Sequence, residues 1–138
     1  MRDLAPIPTD EFRALTLHDV VPAGHFAVPV LHPRWEPHIK AGEFAILDPS
    51  DTLPQVGELY GLTIRSPIAP SGTVLKIVQP YRSTLFAGCD GVRFRFGQNR
   101  PGVLNYVDGP LSRDGWLRAC RGRVVGILSL ADVEVAHA

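Results

Sequence analysis

Four histidines, His18, His25, His32 and His38, fall in one stretch, and His137 lies far downstream. Imidazole is the commonest metal ligand, so the cluster raises a metal site. The spacing does not supply one. No H-x-x-x-H puts two rings on one helix face, and neither cysteine, Cys89 or Cys120, is near. These residues read as solvated loop histidines, with His32 and His38 flanking the Arg34–Glu36 turn. No metal and no cofactor is expected. The cysteines form no C-x-x-C pair and read as reduced, structural thiols. No Ser/His/Asp set has a nucleophile elbow, and no Gly-rich phosphate loop appears. R-F-R-F-G-Q-N-R, residues 93–100, is the one basic stretch with interleaved aromatics. Arg93, Arg95 and Arg100 are therefore the candidate nucleic-acid contacts. Strand alternation sends Phe94 and Phe96 inward, where they are not free to stack on bases.

The elements that position these residues are mostly strands. The chain has 138 residues, 45% hydrophobic and 20% charged, with a net charge of zero. That length suits one domain with a core of its own. The composition excludes a disordered chain, and no apolar run approaches the roughly 20 residues that span a bilayer. The acids and prolines near Met1 do not make a signal peptide, which points to the cytoplasm. Thirteen glycines and 13 prolines favour short strands and turns over long helices.

A short helix is expected from Asp10 to Leu15, capped by Thr9, inside an arm spanning residues 1–24. Residues 25–138 then form a β domain. Strands are expected at Phe26–Leu31, with Pro29 marking an edge, and at Glu43–Leu47. Leu59–Arg65 and Thr73–Gln79 should pair as a hairpin across S-P-I-A-P-S-G. Val92–Phe96 alternates strictly, and Arg123–Leu130 reads as a buried final strand. Gly97–Gly115 reads as loop. Charge is uneven along the chain. Met1–Leu75 carries nine acids and five bases, whereas Arg82–Arg123 carries eight arginines and three acids.

The segment H-P-R-W-E-P-H-I-K-A-G-E-F-A-I-L-D-P, residues 32–49, resembles the nucleophile region of the LexA-like and signal-peptidase-like serine proteases. Pro37, Ile39, Gly42, Glu43, Ile46, Asp48 and Pro49 follow that family's order. Gly57-Glu58 is similar to its second Gly-Asp, V-L-K-I-V around Lys76 to its lysine strand, and R-G-R-V-V-G-I-L to its last strand. The resemblance runs from Phe26 to Leu130. It implies curved antiparallel sheets and a serine–lysine cleft in which a neutral lysine takes the serine's proton.

The departures decide the expected function. Arg34 stands at the serine position and Trp35 at the following methionine. A guanidinium cannot be the nucleophile, so Lys76 is half a dyad and no catalysis is expected. Ser66 and Ser71 near Lys76 read as turn residues. Ala23-Gly24 matches the scissile pair of self-cleaving repressors but lies only ten positions before Arg34, and reads as a turn. Trp35 either plugs the former cleft or anchors a partner. Arg34 and Lys76 form a cationic spot for which Glu36, Glu43 or a partner chain can supply a carboxylate. The resemblance thus implies a stand-alone, non-catalytic interaction module. Such a module would form a homodimer, or pair with and regulate a repressor or protease of the same fold. The alternative is a nucleic-acid accessory protein using the Arg82–Arg123 face.

Overall fold

The computed structural model describes residues 14–83, 91–98 and 107–129. Its strands are β1 (Thr16–His18), β2 (Phe26–Pro29), β3 (Phe44–Asp48), β4 (Tyr60–Arg65), β5 (Thr73–Ser83), β6 (Val92–Arg95), β7 (Val107–Leu111) and β8 (Cys120–Leu128). A 3-10 turn, η1, covers Pro33–Trp35, and one α-helix, α1, covers Arg113–Ala119. The chain is mainly β, as expected. The sheet order is β2-β3-β8-β4-β5-β6-β7, and β1 pairs with β8. Every pairing is antiparallel except β1 with β8.

Two strands set the shape. Central β8 pairs with β4 early, with β1 late, and with β3 on its other side. The register slips past Arg121 against β4 and past Val125 against β3, so β8 is bulged twice. A bulge adds local twist and bend to the strand. β5 changes neighbours midway: Thr73–Val78 pairs with β4, and Gln79–Ser83 pairs with β6. Buried Pro80 sits where that change happens, and its missing N–H leaves no ladder donor stranded.

Apolar residues collect in two groups. One holds Trp35, Ile39, Leu47, Ile77, Val124 and Ile127. The other holds Tyr60, Leu62, Val78, Phe94, Phe96 and Trp116. Trp116 meets Tyr60 and Phe94 edge-on, at centroid distances of 5.4 and 6.1 Å, and its indole N–H donates to Thr52 O.

The expected hairpin, the Val92–Phe96 alternation and the edge position of Pro29 are present. Three expectations need correcting. The Asp10–Leu15 helix falls mostly outside the described residues, and Ala14–Leu15 is a bend leading into β1. The stretch read as an arm therefore supplies a strand, held by its parallel pairing with β8. The loop reading of Gly97–Gly115 fails at β7, Val107–Leu111, which pairs with β6, and at the start of α1. That helix starts because Ser112 Oγ accepts the Gly115 N–H at 3.0 Å, and it is held because Trp116 is fully buried.

Arg123 does not add to a free basic face. It donates to Asp51 at 2.6 Å and to Glu58 at 3.2 Å, which raises its pKa through the Asp51 bond first. All three side chains are about a third exposed or more, so water screens the pairing. Arg123→Ala is expected to lower stability by about 1 kcal/mol or less, with the difference shrinking in about 1 M salt. Urea unfolding at two salt concentrations checks this.

Candidate functional site

The segment after β2 builds one wall of a cleft. Val30 extends the β2–β3 pairing by donating to Glu43 O, while Gly42 donates back to Val30 O. The chain then turns through η1. Trp35 O accepts from both His38 N and Ile39 N, closing the turn. Two further bonds lock it in place. The Trp35 indole N–H donates to Ile77 O on β5 at 3.2 Å. The Gln98 N–H, just after β6, donates to Arg34 O at 2.9 Å. Arg34 is thereby fixed by elements far away in sequence.

A cavity of about 500 Å³ opens beside this turn. Pro29–His32 and Arg34 border one side, and Val74–Ile77 borders the other. Trp35 and Phe96 also line it, as do Ser66 and Ile68 from the β4–β5 loop. Arg34 and Lys76 thus line the same cavity. Trp35 is 4% exposed and belongs to the core, so it forms part of the cavity floor and does not project into solvent. Leu31 and Ile68 at the cavity are 71% and 93% exposed.

His32 lies in an exposed bend, as read, and it also lines the cavity, which motif reading did not anticipate. Its pKa is lowered, first by partial burial and then by the charges of Arg34 and Lys76. Its position two residues before Arg34 was the available signal. Phe96 was recognised only as core. Glu36 and Glu43 do not line the cavity. They accept the N–H groups of Ala41 and Lys40, at 3.1 and 2.7 Å, and so brace the turn into β3. Ser66 does line the cavity. It lies just past the end of β4, however, four residues beyond Leu62, the ladder partner of Lys76, or about 13 Å at the rise of a strand.

Among the described residues the histidines do not gather. His38 Nδ1 accepts from Ala14 N, and His25 Nδ1 bonds Ala23 O within the turn that Pro22 O closes with His25 N. Ala23-Gly24 is that turn. Among the described residues no three His, Cys, Asp or Glu side chains come together. Cys120 is buried, and burial pushes its thiol up to about 11, far from a reactive thiolate. Cys89 and Arg100 lie outside the described residues. Arg93 and Arg95 are partly buried on β6, where Arg95 stacks over Tyr81 at 4.7 Å. Two strands, β4 and β5, separate them from Arg121 and Arg123 on β8. Arg121 itself donates to Thr63 Oγ1.

The fold and the site define a mainly-β domain with an apolar, cation-bordered cleft. No family model, no curated protein and no solved structure matches the chain.

Proposed function

We propose that the chain is a non-catalytic domain of LexA-like, signal-peptidase-like type, working as a protein-interaction module that pairs with a repressor of the same fold. One observation carries this reading. Arg34 and Lys76 border a single cavity, with a guanidinium where the resemblance expects a hydroxyl. The scaffold that aligns a dyad is kept while the nucleophile is absent.

Two features favour a polypeptide occupant. Leu31 and Ile68 leave apolar surface uncovered at the cavity, and burying such a side chain is worth about 1.5–3 kcal/mol. The cavity also runs beside an open strand edge. Ile77 O accepts from Trp35, while Pro80 O accepts from Gly57 on the β4 side, so odd-numbered residues of β5 turn away from β4. Leu75 faces that way too, and among the described residues no strand pairs with this edge between Thr73 and Val78. On this edge Ile77 O is taken by the Trp35 indole and Thr73 O by Ser71 Oγ, which leaves the outward backbone of Leu75 for a partner chain.

Light scattering of the chain mixed with a purified LexA-type repressor tests the reading. A mixed oligomer is expected, and Ile68→Asp at the exposed loop is expected to weaken it about tenfold or more. A chain that stays monomeric alone and in the mixture would remove the proposal. Incubation with denatured casein at alkaline pH, where lysine amines lose their charge, should leave both proteins intact. Cleavage would make the protein an enzyme.

A further inference from the structure

We propose that the outer face of β5 and β6 is a binding site for single-stranded nucleic acid. Arg82, Arg93 and Arg95 hold its phosphates, and Tyr81 with Arg95 gives an unpaired base a platform. None of these four residues lines the cleft, so this site goes beyond the interaction module and does not depend on it.

The ladder register builds the cluster. Along β6 the side chains alternate, with Val92 and Phe94 buried and Arg93 and Arg95 on the opposite face, partly exposed. Exposed Arg82 on β5 is the ladder partner of Arg93, so the two share that face, with Cβ atoms about 5 Å apart. Arg95 follows Arg93 about 7 Å along the strand. The register slips between Pro80 and Arg82, at Tyr81, and the Arg95 guanidinium lies over the Tyr81 ring at 4.7 Å. The phenylalanines interleaved with these arginines turn into the core. The aromatic that accompanies them comes instead from the neighbouring strand.

The charges point to an anionic ligand. Like charges directly opposed in a ladder repel. Among the described residues, however, Arg82, Arg93 and Arg95 meet no aspartate or glutamate. The acid of neighbouring β7, Asp108, lies opposite Phe94 and accepts the N–H of Gly109. Arg95 Nε is also buried without an acceptor, and such a donor is costly to keep. A phosphate at the terminal guanidinium nitrogens offsets both costs, through charge-assisted and bidentate bonds. The stack of Arg95 on Tyr81 narrows the class of anion. Unpaired bases stack on aromatic rings and on guanidinium planes. Bases inside a duplex have no free face to offer, and a run of carboxylates makes no use of a flat platform.

Fluorescence anisotropy of the full chain with a labelled oligothymidylate of about 12 nucleotides tests this. Binding is expected at about 50 mM NaCl. Three phosphate contacts give a slope of about −2 for log K against log salt, so affinity should fall about 15- to 20-fold by about 200 mM. Arg82→Gln and Arg93→Gln should each weaken binding about fivefold and flatten the slope by about 0.7. Tyr81→Leu should weaken it by a similar factor with the slope unchanged, because it removes stacking and no charge. Arg118→Gln removes a charge on α1, away from this face, and should leave affinity within about twofold. Circular dichroism confirms that each variant is folded. No binding at about 50 mM salt overturns the proposal and leaves the cleft's role untouched. Equal losses for Arg118→Gln and Arg82→Gln overturn it too. So does binding of polyglutamate, or of the strand annealed to oligoadenylate, as tight as that of the single strand. An unchanged affinity for Tyr81→Leu overturns the base platform, and with it the choice of nucleic acid.

Discussion

Replacing Trp35 by alanine is expected to lower the unfolding free energy by about 3–5 kcal/mol. The indole is 4% exposed and packs among Val30, Ile39, Leu47, Ile77, Val124 and Ile127. Those residues come from β3, β5 and β8, the residue after β2 and the turn after η1, so collapse around the void is opposed from several directions. The ring also supplies the donor for Ile77 O. Trp35→Phe keeps most of the volume but removes that donor, and should cost less, about 1–3 kcal/mol. Urea unfolding followed by far-ultraviolet circular dichroism separates the two. A loss under about 1 kcal/mol for the alanine variant would mean the indole is not core. Trp35 is thus scaffold as well as cleft floor, and binding is better probed through Lys76 and Arg34.

Gly122→Ala is the second large effect, at about 2–5 kcal/mol. Gly122 has φ of +138°, where side chains are strained. A Cβ there would press into the backbone carbonyl of Asp48 and lie 3.0 Å from Pro49 N. Gly122 also faces Gly61 at the β8 bulge. Relief would pull β8 away from β3 at the end where Asp48 pairs with Arg123. Gly24→Ala is the control. Gly24 has φ of +78° but nothing within 4 Å of a new Cβ, so only the backbone term remains, about 1–2 kcal/mol. Equal losses at the two positions would show that the contact with Asp48 is unimportant.

The β strands were legible where a local period specifies them. Val92–Arg95 alternates buried and half-buried, and the Tyr60–Arg65 and Thr73–Val78 pair is announced by the turn residues between them. β1 was not legible, because three residues with little apolar period become a strand only by pairing with β8. The start of α1 was hidden by Asp114 and Gly115, which also read as turn residues. The decisive facts are the Ser112 cap and the burial of Trp116 by Tyr60 and Phe94. Counting charge along the chain could not see that Arg123 meets Asp51 and Glu58, many residues away. At the site, the ordering of residues 32–49 and the position of Lys76 singled out Arg34 and Lys76, which both line the cavity. The contributions of Ile68 and Phe96 arise from tertiary packing alone.

The place of β8 bears on how the protein is made. Cys120–Leu128 lies between β3 on one side and β4 and β1 on the other, yet it follows all of them in sequence. During synthesis, β3 and β4 leave the ribosome with their inner edges unpaired and wait for most of the remaining chain. Contacts this distant in sequence form slowly, and unpaired edges invite association with other chains. The cleft follows the same timetable, since Val124 and Ile127 help to bury Trp35. The wall beneath the cleft is therefore complete only once translation has passed Leu128.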